Sequence, residues 1–159
     1  INSIAAEHNL FVLEDAAQGF GGAVNNRRAG TLAEVGCTSF FPAKPLGCYG
    51  DGGALFTNDD NLASLFRSIR VHGQGGDKYE NIRLGMTGRL DALQAAILIP
   101  KLEIFPDELK ARQQVASTYE KLISSSPLNL KTPIVPSGYS SAWAQYQSWQ
   151  TIKKNAIDL

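Results

Sequence analysis

The run Leu10-Phe11-Val12-Leu13 is apolar, four residues long, and stops at the acidic pair Glu14-Asp15, with Gly19, Gly21 and Gly22 close behind. That length suits a buried strand, and the glycines let the backbone turn sharply after it. A second strand-like segment, Val35-Gly36-Cys37-Thr38-Ser39-Phe40-Phe41, runs into Pro42-Ala43-Lys44-Pro45-Leu46-Gly47. In open α/β sheets ligands gather at the carboxyl ends of strands, so Asp15 and Lys44 are expected where chemistry collects. A carboxylate ending a buried strand also needs a partner to offset its desolvation.

Around these strands the chain alternates. The first eight residues read as the end of a helix, and Asn25-Asn26-Arg27 between Ala23-Val24 and Arg28-Ala29-Gly30 predicts a small hairpin, since asparagine tolerates positive φ. Gly53 to Thr57 predicts another buried strand, closed by the helix-capping residues Asn58 and Asp59. Leu62, Leu65, Phe66 and Ile69 recur at helical spacing, with a stop at His72-Gly73. Residues 73–88, rich in glycine and charge, read as a mobile loop open to a functional role. Leu90, Leu93, Ala96 and Ile97 start a second helix, which Pro100 is expected to interrupt or kink and Pro106 to restart, down to Ser124. A loop over 124–141 and a strand over 143–152, with no visible partner, complete the pattern. The expected fold class is α/β with a helical connection toward a second, incomplete unit.

Charge and composition narrow the function classes. Of the 159 residues, 15 are Lys or Arg and 15 Asp or Glu, so no global field draws the chain to nucleic acid or an anionic membrane. The apolar stretch Leu93–Ile99 is too short to span a bilayer, and no charged leader is visible. A soluble, cytoplasmic protein is expected. Cys37 and Cys48 lack metal-like spacing and read as reduced thiols, so no metal site is expected. The start at Ile1 points to a piece of a longer protein.

A lysine able to form a covalent carbon–nitrogen link and an aspartate able to stay ionised beside a pyridine nitrogen are the groups that pyridoxal 5'-phosphate (PLP) chemistry requires. Lys44 lies among Phe40, Phe41, Pro42, Pro45 and Leu46, an apolar setting that favours a neutral, nucleophilic amine. Asp15 suits the pyridinium, Gln18 the ring's phenolic oxygen and Ser39 the phosphate. Each has a plainer alternative: a surface lysine, a turn cap, a polar loop residue and a strand-end serine. His72 reads as a helix-end cap, and Gly73-Gln74-Gly75-Gly76 lacks the strand and Lys-Ser/Thr of a phosphate loop.

Glu14-Asp15-Ala16-Ala17-Gln18, Ser39 to Gly47, Gly50 to Asp59 and Arg89 to Ala96, in this order and spacing, resemble the nucleotide-sugar aminotransferases of the DegT/StrS type, over roughly residues 1–123. The resemblance implies part of a fold-type I PLP-dependent transferase: residues 1–105 as the C-terminal part of the large PLP-binding domain, and 106–159 as a connecting helix and the start of the small domain. It implies Lys44 as the lysine that holds the cofactor, Asp15 as pyridinium partner, Gln18 near the phenolic oxygen and Ser39 as a phosphate ligand. Lysine at position 44 favours amino transfer over dehydration, for which some relatives carry histidine. The run Pro45-Leu46-Gly47-Cys48-Tyr49-Gly50-Asp51-Gly52-Gly53 is most similar to members acting on UDP-linked 3-oxo-N-acetylglucosaminuronate.

In those members the arginine matching Arg89 resembles a carboxylate-binding group, on the sugar or on an amino donor, expected to be glutamate; a helix-start salt bridge is its plainer role. The resemblance further implies a homodimer serving polysaccharide (O-antigen or lipopolysaccharide) biosynthesis. Thr87 stands where the family often has an asparagine that reaches the partner subunit's cofactor phosphate. The upstream phosphate-binding turn and ring-stacking aromatic are expected before Ile1, and the rest of the small domain after Leu159. Competing expectations are a non-catalytic truncated fragment or binding module, and another fold-type I PLP activity.

Overall fold

In the computed structural model, which describes residues 1–150, the chain opens with helix α1 (Asn2–Glu7) and strand β1 (Leu13–Asp15). The strand begins where the apolar run was expected to end, so Glu14 and Asp15 lie within it. Leu10, Phe11 and Leu13 are about 60% exposed, and Asp15 is exposed rather than buried. The cause is topological: β1 is an edge strand, and among the described residues it has a neighbour on one side only.

Strands β2 (Ala23–Val24) and β3 (Arg27–Arg28) form the expected hairpin. Asn25 (φ 48°) and Asn26 (φ 64°) take the two left-handed positions that a tight two-residue turn demands. Strand β4 (Val35–Ser39) is central, parallel to β1 with Asp15 opposite Cys37 and antiparallel to β5 (Gly53–Phe56) with Ser39 opposite Gly53. It ends at Ser39, not Phe41, because Phe40 turns into the core and its carbonyl accepts the Cys48 N–H at 2.8 Å. Gly36 admits no side chain: a Cβ there would collide with the Gly30 carbonyl.

Helix α2 (Asp60–Ile69) is capped by Asp59, whose Oδ1 accepts the N–H groups of Asn61 (2.7 Å) and Leu62 (3.1 Å). Gly73, at φ 77°, stops it and donates its N–H to the Ser68 carbonyl at 2.9 Å. Residues 73–88 form the loop expected, without helix or strand, and the loop is anchored at its ends. His72 N–H bonds the Met86 carbonyl, Met86 N–H the Ile69 carbonyl and Gly88 N–H the Arg70 carbonyl, so the segment is stitched back onto the end of α2.

Helix α3 (Ala92–Ser124) continues for 33 residues past Pro100 and Pro106, so Pro100 does not interrupt it, the first of the two outcomes expected, and Pro106 does not begin a new helix. Each proline removes one donor and releases the carbonyl four residues back. Those carbonyls belong to Ala96 and Leu102, two exposed residues of the helix. The inner side of α3 holds the helix together through these two points: Leu98 and Phe105 pack with Phe40, Leu46 and Cys48, and Phe20 stacks on Phe105 at 5.8 Å and on Phe56 at 6.0 Å between ring centroids. No helix of the described residues is long and apolar enough to cross a membrane.

Beyond α3 come β6 (Leu130–Lys131), β7 (Tyr139–Ser140), which joins the free side of β2, and β8 (Trp149–Gln150). The last strand does have a partner: β8 pairs antiparallel with β6. Most of the strand expected over 143–152 is replaced by an aromatic cluster, with Tyr146 stacked between Tyr119 (5.1 Å) and Trp143 (5.5 Å), while 151–152 lie outside the described residues.

Candidate active site

Strands β1 and β4 run parallel, so their carboxyl ends lie side by side. Asp15 is in register with Cys37, and Ser39 is two residues further along β4. The period of two therefore sets Asp15, Cys37 and Ser39 on one face of the sheet at its carboxyl edge. Glu14 takes the opposite face, where its carboxylate accepts the N–H groups of Gly30 (2.7 Å) and Leu32 (2.8 Å). The acidic pair is thus divided between scaffold and site, a separation that its sequence does not show.

The turn after β1 is tied to β4 by the Ala16 N–H donating to the Cys37 carbonyl at 2.8 Å, with the Thr38 hydroxyl 3.4 Å from the Ala16 carbonyl. Ala16 and Thr38 were not singled out as functional, yet they fix Asp15 relative to Ser39. Asp15 Oδ1 accepts the Ala17 N–H at 2.9 Å, which is the turn-capping role weighed for it, and Oδ2 has no partner among the described residues. Ser39 Oγ accepts the Phe41 N–H at 3.2 Å and keeps its proton to donate. Lys44 follows in the next turn, half-buried, its N–H held by the Phe41 carbonyl at 2.9 Å and its ammonium free of hydrogen bonds and ion pairs among the described residues.

Gln18 lies three residues past β1 and lines a cavity of about 560 Å³ with Tyr139, Trp143 and Trp149. Arg89 is exposed, just ahead of α3, and makes no ion pair or hydrogen bond among the described residues, so the helix-start salt bridge is not formed there. No bond links it to the other four. A cavity of about 910 Å³ lies along β5 and α2; it is lined by Arg67 and Arg70 but by neither a carboxylate nor a lysine. Both thiols are free: Cys48 is fully buried and Cys37 shares the face of Asp15 and Ser39.

The donor set fits PLP: a carboxylate oxygen for a pyridinium N–H, a hydroxyl for a phosphate oxygen, an unpaired amine for an aldehyde carbon and an amide for a phenolic oxygen.

Comparison with known proteins identifies the relatives of this chain. Over 146 residues the chain is 52% identical to a UDP-2-acetamido-2-deoxy-3-oxo-D-glucuronate aminotransferase of Pseudomonas aeruginosa, covering 92% of this chain and 40% of that protein. It superposes on a DegT/DnrJ/EryC1/StrS aminotransferase from Brucella abortus with a TM-score of 0.89 and 48% identity, over 94% of this chain and 39% of that one. The match to Streptomyces venezuelae DesV, solved with a ketimine intermediate, has a TM-score of 0.86 at 33% identity, over 92% of this chain and 39% of the other. The chain thus spans about two fifths of the length of these relatives, and its fold is theirs. Aminotransferases of this kind are PLP-dependent enzymes. The DegT/DnrJ/EryC1/StrS aminotransferase family model matches residues 1–158, so the strand-end carboxylate, hydroxyl and lysine sit in a chain that belongs to that family.

Proposed function

We propose that the protein is a PLP-dependent aminotransferase that moves an amino group from an amino acid, glutamate, to a keto sugar carried on a nucleotide, for assembly of a polysaccharide such as O-antigen or lipopolysaccharide. The observation that carries this is the common face of Asp15 and Ser39 at adjacent parallel strand ends, with an unpaired Lys44 in the following turn. The 52% relative supports a UDP-linked 3-oxo uronate as the sugar class.

When bound, PLP supplies an electron sink for negative charge at the amino-bearing carbon. Asp15 Oδ2 would hold the pyridinium proton, with the carboxylate fixed through Oδ1 by the Ala17 N–H. Ser39 Oγ–H would donate to a phosphate oxygen, its hydroxyl oriented by the Phe41 N–H. Gln18 would donate its amide N–H to the phenolic oxygen. Lys44 Nζ would hold the cofactor and, once free as an amine, would carry a proton from the substrate carbon to the cofactor carbon. Arg89 grips a carboxylate, that of the uronate or of the amino donor, through two parallel hydrogen bonds. Residues 1–105 serve as part of the large domain and 106–159 as the connecting helix and start of the small one. The protein works as a cytoplasmic homodimer.

In the full-length protein, Lys44→Ala should abolish turnover and the borohydride-sensitive visible absorbance of PLP-loaded protein. Retention of both would refute the assignment. A parent protein that never acquires that absorbance would instead favour a non-catalytic binding module.

A further inference from the structure

Lys44 is carried by a loop whose backbone is held from outside itself. Cys48 closes the loop with its N–H (2.8 Å) and its Sγ (3.0 Å), both donating to the Phe40 carbonyl, and Leu46 and Cys48 are buried. Pro45 restricts the backbone of Lys44 before it. Past that point the loop has no internal bonds from Pro45 to Gly47, and α3 supplies the missing ones. Lys101 Nζ donates to the Gly47 carbonyl at 2.5 Å and lies 5.3 Å from the centroid of the Tyr49 ring. Gln94 Oε1 accepts the Tyr49 N–H at 2.9 Å. These two residues are seven apart, two turns on one side of a helix, and they grip the loop three and five residues beyond Lys44.

We propose that Gln94 and Lys101 are positioning residues that fix the loop carrying Lys44, so that its amine meets the cofactor carbon and the substrate carbon without a search over loop conformations. The proposal rests on the role given to Lys44 above. Misplacement of a reacting group by about 1 Å can cost roughly a hundredfold in rate while leaving ground-state binding largely intact. Lys101 also has two attachments, to a carbonyl and to a ring face, which an arginine can reproduce and a methionine cannot.

The test uses the full-length protein with PLP and compares Lys101→Met, Lys101→Arg, Gln94→Leu and Gln94→Glu. Four quantities are read: the unfolding midpoint, the pH midpoint of the visible band, the rate of borohydride trapping at Lys44 by peptide mass, and the decay of the band on adding L-glutamate. Lys101→Met and Gln94→Leu should slow the limiting decay by about 10- to 100-fold with the half-saturating glutamate concentration unchanged. They should also shift the pH midpoint and slow trapping, at an unchanged unfolding midpoint. Lys101→Arg and Gln94→Glu, which keep the donor and the acceptor, should recover most of the loss. Parent-like spectra and trapping in the first two variants would overturn the proposal, as would losses that track a lowered unfolding midpoint and resist the conservative replacements. If Lys44→Ala keeps the band, the role of Lys44 itself has failed. If Lys44→Ala loses it and Lys101→Met behaves as the parent, only the positioning role has failed.

Discussion

Replacing Glu14 by alanine removes one carboxylate that receives two backbone N–H groups, those of Gly30 and Leu32, at 2.7 and 2.8 Å. Hydrogen bonds to a charged group contribute about 1.5–3 kcal/mol each, and these two are only partly buried, so the lower end applies to both. The expected loss is about 3 kcal/mol, roughly a hundredfold in the opening equilibrium of the segment that leads into β4. Amide hydrogen exchange on the apo full-length protein reads this directly: protection at Gly30 and Leu32 should fall by that factor, with a matching loss in urea unfolding. Asp15→Ala provides the contrast. Asp15 is exposed and accepts a single N–H, so its loss should change stability by less than about 1.5 kcal/mol while abolishing retention of PLP. Unchanged protection at Gly30 and Leu32 in Glu14→Ala, or loss of PLP there with the fold intact, would refute the division of labour between the two carboxylates.

Phe105 is 6% exposed and stacked on Phe20, so Phe105→Ala should cost about 3–5 kcal/mol in chemical denaturation, and Phe105→Leu clearly less. Burial, and after it the nearby Glu120 carboxylate, raises the Tyr146 hydroxyl above its ordinary value of 10.0. The fold therefore favours the protonated phenol. Its contribution is complete below the unfolded value and is lost as pH rises through the folded one, so an unfolding series taken upward from about pH 10 should show a decline that Tyr146→Phe removes. The exposed Asp107–Lys110 pair, at 2.8 Å, holds the Asp107 carboxyl below its usual range through the Lys110 hydrogen bond, yet solvent screens it; Asp107→Asn should leave the thermal midpoint unchanged.

Features set by local chemistry were legible in the sequence. Asn25-Asn26 announced the hairpin because few residues tolerate two left-handed positions, and Asp59 announced the start of α2 because its carboxylate reaches two orphan N–H groups. Lys44 and Ser39 stood out through the motif around them. Features set by distant partners were not legible. The exposure of Asp15 follows from the edge position of β1, the continuity of α3 from packing that outweighs two prolines, and the pinning of 73–88 from carbonyls at the end of α2. The pairing of β8 depended on β6, a two-residue strand inside a stretch read as loop. The separate role of Glu14 was not legible because adjacent carboxylates in a sequence look alike until a strand sends them to opposite sides.

At about 1.5 Å per residue, α3 is a rod of roughly 50 Å, whereas a compact body of 150 residues, with a radius of gyration of about 15 Å, is only about 40 Å across. Such a rod outreaches whatever these residues can wrap around it, which is why Leu93, Ile99, Leu102, Ile104 and Leu122 still meet solvent. Prepared by itself, the polypeptide would present a greasy spine to its surroundings and tend to self-associate, so its colloidal behaviour in isolation would report on that bare surface rather than on the soundness of the sheet beside it.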